Sequence, residues 1–404
     1  MPHLLRRAFI LQGLALTAPL LTAGCIGSGS LTPPGAVSGA PAPEAAPSAA
    51  TAGDAIGTGS VRVALILPLS GSGQGAVAGQ SLRNAADLAL AEFQNPDVTI
   101  LVKDDRGTPE GARDAAAQAV AEGAELILGP LFAGSVQAAG QVARQSGRPV
   151  IAFSTDVSIA TRGVYLLSFL PQAEVDRIVD FAAAQGRRSV AALIPETTYG
   201  SVVEAQFREA TARRGLRVAA IERYAPGQPQ AAIQRLGPII NGDAPQADSL
   251  FIPDNGDGLP AVAQALQASG FNPQRVKPLG TGVWNEARVF ALSVLQGGWF
   301  AAPDNRGFNA FAARYRERFG TDPTRLATLS YDAVSLAAAL ARTQGSQRFA
   351  ESVLTNPSGF AGADGVFRFR TDGLNDRALA VQEIRGGGAV TVNAAPRALA
   401  PAGT

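Results

Sequence analysis

"VALILPLSGSGQGAVAGQS", residues 63–81, carries an unbroken apolar stretch into a glycine-rich bend and then into helical periodicity. A run such as Val61 to Leu67 is that of a strand buried on both faces, and Leu82, Ala86, Ala89 and Phe93 follow at helix spacing. The alternation repeats as strand 97–103, helix 108–122, strand 124–128, helix 134–146 and strand 149–153. It predicts an α/β protein, a parallel sheet covered on both faces by helices with right-handed crossovers. After Pro171 a second series begins: helix 172–185, strand 189–194, helix 200–214, strand 216–222, helix 228–240, strand 248–252, helix 257–269 and strand 275–279. No long Gly/Pro linker separates the two series, so they are expected to be lobes flanking one cleft. Phe308, Phe311, Tyr315 and Phe319 share one helical stripe, and Leu326, Leu329, Ala333, Ala337 and Leu340 share another; both read as core. Near the end, "GVFRFR" and "RALAVQEIR" flank the turn-rich "TDGLND", which predicts a β-hairpin.

The whole chain narrows the chemistry. Its 404 residues carry a formal net charge of +1, which gives no electrostatic footprint for nucleic acid or an anionic surface. The one histidine is His3 and the one cysteine is Cys25, so a body freed of its leader has neither side chain for nucleophilic catalysis, disulfides or zinc. Residues 1–24 have basic Arg6 and Arg7, an apolar stretch from Ala8 to Leu21 and a small-residue end, the pattern of a signal peptide. "LTAGC" ends on Cys25 and resembles the bacterial lipobox, whose cysteine is acylated and becomes the first residue. "RRAFI" fits a twin-arginine export signal and an ordinary basic leader alike. Removing the leader leaves 32 basic against 33 acidic residues. Of the 35 residues from Ile26 to Ser60, 29 are Ala, Gly, Pro, Ser or Thr, which predicts a disordered tether over 25–60 with an r.m.s. reach of about 30 Å. Residues 393–404 are expected to form a disordered tail.

Four catalytic or ligand motifs bear on the function. Gly71, Gly73 and Ala76 match G-x-G-x-x-G/A, with Asp104 and Asp105 at the end of the next strand, but a tight strand-to-helix turn explains the glycines equally and no nucleotide site is assigned. A P-loop is excluded because Lys103 and Lys277 both follow valine, and no serine carries the glycines of G-x-S-x-G. "PDNGDG" at 253–258 is no calcium loop, since Gly256 stands at the second ligand position. The expectation is a protein that is not an enzyme and uses no cofactor and no metal.

The segments "ALILPLSGSGQGAVAGQSLRNAADLAL", "DDRGTPEGARDAAAQAVAEGAELILGPLFAGSVQAA" and "RPVIAFSTD" resemble the first lobe of type I periplasmic solute-binding proteins, the leucine-binding family. The likeness runs on through "SLFIPDNGD", "LGTGVWNE", "GGWFAAPD" and "LSYDAVSLAAAL" to about residue 392. Within that superfamily "LILGPLFAGSV", "VIAFSTD" and "GFAGADGVFRFRTDGLNDRALAVQEI" are most similar to the lipoprotein activators of penicillin-binding proteins, which stimulate peptidoglycan synthases. The resemblance implies a type I periplasmic-binding-protein fold: two doubly wound lobes with parallel sheets and three crossovers, 61–170 with 303–357 and 171–302 with 358–392. It places Ser70, Gly71 and Ser72 of the opening bend at the cleft, with Gly134, Ser135, Ser154, Thr155 and Asp156 from the same lobe and Tyr199, Asp254 and Thr281 from the other.

Amino-acid binders of the family hold the ligand carboxylate with small hydroxyl residues and its ammonium with an acid of the second lobe. The corresponding positions here are Ala133, Ser154, Asp156 and Thr281, and only Ser154 keeps the pattern. An aspartate where a carboxylate should dock is repulsive, which argues for a changed or lost ligand. The activators can carry an extra helical-repeat domain where this chain has only its tether. Together these features imply a lipid-anchored binding module on the periplasmic side of the outer membrane. Its partner would be a penicillin-binding protein or, alternatively, the permease of an ABC importer for an amino-acid-like, amide or peptide solute.

Overall fold

The computed structural model describes residues 54–71 and 73–399. The predicted leader, most of the tether, Cys25, Ser72 and residues 400–404 lie outside them. The first lobe begins with β1 (Ala55–Ile56), β2 (Val61–Leu67), α1 (Gln74–Ala91), β3 (Val98–Asp104), α2 (Pro109–Ala121), β4 (Leu126–Leu128), α3 (Ala133–Gln145), β5 (Val150–Ala152) and β6 (Val164–Leu166). Its strands lie in the order β1-β3-β2-β4-β5-β6, all parallel except for antiparallel β1. Every residue of β4 and β5 is buried, as is every residue of β2 except Arg62, which is why these strands read as continuous apolar runs.

The chain then enters the second lobe with α4 (Pro171–Ala184), β7 (Ser189–Pro195), α5 (Thr198–Arg213), β8 (Arg217–Tyr224), α6 (Gln230–Ile240), β9 (Ser249–Phe251), α7 (Leu259–Ala268), β10 (Lys277–Gly280), α8 (Ala287–Phe290) and β11 (Trp299–Ala302). It returns for α9 (Asn305–Phe319), α10 (Ala327–Thr343), α11 (Glu351–Leu354), β12 (Phe360–Gly362), β13 (Gly365–Phe369) and β14 (Asn375–Arg377), and crosses again to β15 (Ala380–Arg385) and β16 (Gly388–Asn393). The second sheet runs β16-β15-β11-β10-β9-β7-β8, with β15 and β16 added antiparallel at one side of a parallel set. Each sheet has an apolar cluster on both faces. In the first lobe Leu65, Leu82, Tyr165, Leu329 and Ala337 share one, and Ile66, Ala116, Val136 and Leu166 share the other. Phe207 stacks on Phe251 with centroids 4.9 Å apart in the second lobe.

Three predicted boundaries move. The fold starts at Asp54, because β1 pairs with the edge of β3 and the Asp54 carboxylate takes Arg83, with a 2.8 Å bond from its Nε. Residues 54–60 are therefore part of the fold and not of the predicted tether. Residues 358–378 belong with the first lobe, not the second: Phe367 and Phe369 are in its core, and Ala378 N–H still donates to Val366 O at 2.9 Å. The third crossover falls at Ala378–Leu379, so the predicted hairpin is β13 with β14, while "ALAVQEIR" supplies β15 of the other sheet. The tail begins after Asn393, the last residue of β16.

Candidate functional site

The glycine-rich bend that opens the fold is held by a neighbouring carboxylate. Asp104, at the end of β3, accepts the N–H groups of Leu69 (2.9 Å), Ser70 (3.2 Å) and Arg106 (2.8 Å) on its Oδ1. Two bend amides that would be needed to cradle a phosphate are thus engaged by a negative group that would repel one. The bend is a structural lip. A Cβ on Gly71 would make only ordinary contacts, 3.8 Å from Pro68 O and 3.9 Å from Arg106 O, and Gly73, at φ 66°, starts α1 in a conformation that favours glycine.

A cavity of about 350 Å³ opens between the lobes. Its apolar wall includes Phe169, Val283 and Leu326, and its polar groups are Thr155 and Arg325 from the first lobe with Glu174, Tyr199, Asn255, Asn285 and Glu286 from the second. Both flanks of the first two crossovers contribute, Phe169 with Pro171 and Ala302 with Pro303, so relative motion of the lobes must change its shape. Asn285 and Asn305 exchange amide hydrogen bonds of 2.6 and 3.1 Å between the second lobe and the start of α9.

Glu174 is the most unusual of these residues. It lies in the first turn of α4, 6% exposed, and its Oε2 accepts the Gly282 N–H at 2.9 Å. A side chain at residue 282 would collide with Glu174 Oε1, so glycine there allows the carboxyl to sit against the backbone. Burial pushes its pKa up to about 8, against the opposing pull of Gly282 N–H and Arg325. The Tyr199 hydroxyl lies 2.6 Å from Thr281 Oγ1, and burial, followed by the nearby Glu174, raises its pKa. Trp284, fully buried behind this wall, donates from Nε1 to Ile252 O at 2.9 Å.

Arg325 is already engaged. It forms a two-point pair with buried Asp364 (2.6 and 2.8 Å) and lies between the Phe169 and Phe308 rings, 4.6 Å from each centroid. Behind it, Asp332 accepts Ala363 N–H at 2.6 Å and faces Arg377 at 4.0 Å. Burial pushes Asp332 up to about 7, against the pull of Arg377.

Of the residues proposed from sequence, Thr155 and Tyr199 line this cavity and Thr281 supports Tyr199 from behind. Ser70 and Gly71 are on the lip and are not part of its wall. Ser154 Oγ accepts the Asp156 N–H at 3.2 Å, and Asp156 in turn caps a short turn by accepting Ser158 N–H (2.9 Å) and Oγ–H (2.7 Å). Gly134 and Asp156 face a separate depression beside α3. Ser135 is buried next to Asp105, whose pKa is raised by burial. Asp254 accepts the Tyr224 hydroxyl and its neighbour's N–H (2.8 Å). Sequence reasoning missed Glu174, Arg325, Asn255, Asn285 and Glu286. Glu174 left a signal, an acid on the apolar α4 stripe with Val175, Ile178 and Ala182.

Two lobes of parallel sheet, linked by crossovers around a lined cavity, define a bilobal binding protein. The sequence matches the family described as periplasmic binding protein over residues 60–389, and the chain belongs to that family. No curated protein matches it. Among solved structures, a candidate branched-chain amino acid ABC transporter from Rhodospirillum rubrum is similar at TM-score 0.72 and 21% identity, covering 82% of this chain and 99% of that one. The LivJ substrate-binding protein of Streptococcus pneumoniae, in complex with isoleucine, is similar at TM-score 0.60 and 18% identity, covering 83% and 99%. An R. palustris solute-binding protein in complex with benzoate is similar at TM-score 0.60 and 18% identity, covering 85% and 98%. At these identities the likeness is one of fold. Among the described residues no helix is long and apolar enough to cross a membrane, and no group of three or more His, Cys, Asp or Glu side chains could hold a metal.

Proposed function

We propose that the protein is a lipid-anchored periplasmic solute receptor that serves an ABC importer, and that its solute carries a hydrogen-bond donor on an apolar body and no carboxylate. The carrying observation is the interlobe cavity, whose buried acid Glu174 comes from one lobe while the only arginine in its wall, Arg325, is bound to Asp364. Its volume falls within the range of small-molecule sites. Family membership and relatives that hold isoleucine or benzoate support a small solute. The site argues against their carboxylate chemistry: in the wall Arg325 has its counter-ion, Thr281 behind the wall is bonded to Tyr199, and Ala133 and Asp156, the positions the family would use for a carboxylate, face a separate depression. An ammonium placed on the free oxygen of Glu174 would instead displace the proton that burial holds there and gain a charge-assisted buried hydrogen bond. Calorimetric titration with L-leucinamide and L-leucine tests this. Binding of the amide that is lost in Glu174→Gln, with no Glu174-dependent binding of the acid, is expected; leucine held through Glu174 as tightly as its amide would overturn the ligand class.

A second reading is activation of a peptidoglycan synthase, with the cleft inherited and the task changed. The likeness of "GFAGADGVFRFRTDGLNDRALAVQEI" to the activator lipoproteins favours it. Crosslinking in intact cells that captures a penicillin-binding protein, with no small molecule held by the purified chain, would establish this reading over the first.

A further inference from the structure

A second interlobe cavity lies on the other side of the first crossover. Pro171 and Glu174 of α4 face the cleft, whereas Leu170, Gln172, Ala173, Asp176, Arg177 and Asp180 line a space of about 510 Å³, closed on the first-lobe side by Arg370 and by Leu374 to Arg377. Several of its charged groups are met by protein partners in or beside the wall. Arg213 pairs with Asp176 at 2.6 Å, Arg177 donates from Nε to Leu379 O at 2.9 Å, and Asp376 accepts Arg368 Nε at 3.0 Å.

The exceptions cluster. Among the described residues thirteen buried side-chain polar atoms have no hydrogen-bond partner, and four of them belong to this one wall: Gln172 Oε1, Asn375 Oδ1, and Nε and Nη2 of Arg377. Asn375 is 4% exposed and the Arg377 side chain 2%. Asn375 Nδ2 donates to Ser168 O at 2.9 Å, which fixes the amide so that its oxygen is the unpaired atom. Nε and Nη2 form one edge of the guanidinium, the two-donor fork that matches a carboxylate. Its other side is occupied, by Asp332 4.0 Å from Nη1 and by the Phe169 and Phe367 rings at 5.0 and 5.4 Å. Leaving such groups unmet costs about 1–3 kcal/mol each. The two amide oxygens ask for a donor, and the fork asks for an anion.

We propose that this rear cavity is a second binding site, for a small carboxylate bearing a hydroxyl or ammonium on the adjacent carbon. The carboxylate takes Arg377 Nε and Nη2, and the neighbouring donor takes Asn375 Oδ1 and Gln172 Oε1. Gln172 comes from one lobe and the other two residues from the other, so an occupant ties the lobes together behind the crossover and biases their opening.

Titration of the full chain with L-lactate, L-alanine and acetate tests the assignment, lactate and alanine separating hydroxyl from ammonium. Lactate or alanine is expected to bind about ten-fold more tightly than acetate. Gln172→Leu, at a partly exposed position, should erase that preference while leaving leucinamide titration of the front cleft unchanged. A crystal grown with the tighter ligand should place its carboxylate on Arg377. No binding of lactate or alanine at 10 mM, a preference that survives Gln172→Leu, or density showing only water between Gln172, Asn375 and Arg377 would each overturn the site.

Discussion

Glu174 carries the cleft chemistry and gives it a pH dependence. An unfolded glutamate titrates near 4.3, whereas the buried one holds its proton up to about pH 8. Between those values the native state binds more protons than the unfolded one, so this residue's contribution to stability is largest in acid and is lost as pH rises through 8. Asp332, at about 7, acts with the same sign. Thermal unfolding followed from pH 5 to 9 should show midpoints falling with pH, and Glu174→Gln should flatten that slope. An unchanged slope would mean that the carboxyl is solvated. Arg325→Met should destabilise by about 3–5 kcal/mol in a denaturant titration, because Asp364 is left buried without its cation, and adding Asp364→Asn should recover part of the loss. Residues of this kind were only partly legible. Thr155 and Tyr199 followed from a resemblance, whereas Glu174 and Arg325 acquire their roles from contacts across 108 and 39 positions of chain, which no local pattern reports.

Most strands of both parallel sheets were readable because burial on two faces imposes continuous apolar runs, and those that were read fall within a few residues of the observed limits; β6 and β11 were not among them. β1 was not readable, for a physical reason. It sits in an Ala/Gly-rich stretch and is held by main-chain bonds: Val102 N–H donates to Asp54 O at 2.9 Å, and Gly59 N–H to Val98 O at 3.3 Å. Ser60 adds bonds of 2.6 and 2.7 Å to the Asp97 carboxylate. Hydrophobic patterning is silent about such an element. A chain begun at Asp54 should therefore unfold at the same temperature as one begun at Cys25, while one begun at Val61 should melt several degrees lower and aggregate more readily through the bared edge of β3. Equal melting of all three would show that β1 contributes nothing. The hairpin was half legible for a related reason. Its turn and first strand were clear, but Ala378 and Leu379 are too short a break to mark a change of lobe.

At the scale of the molecule, three crossovers join lobes that each carry their own core, so the interlobe angle is set by few contacts and is the property most open to control by a ligand. The Asn285–Asn305 amide pair is one of those contacts. Asn285→Ala should enlarge the radius of gyration measured by small-angle scattering without lowering the melting temperature appreciably, and a cleft ligand should reverse the enlargement. The two-lobe plan was visible in the repeated strand–helix series and the crossovers were implied by the family resemblance, whereas the ligand was not legible, since it depends on which polar groups have spent their hydrogen bonds on one another. The most direct measurement is native mass spectrometry of the chain purified from cells, followed by denaturing extraction. A solute receptor of the kind described should release from its cleft a small molecule that lacks a carboxylate, and Glu174→Ala should elute without that molecule. Release of an amino acid or a benzoate-like acid that Glu174→Ala no longer holds, or an empty chain that takes up no small molecule and retains a peptidoglycan synthase, would contradict the account.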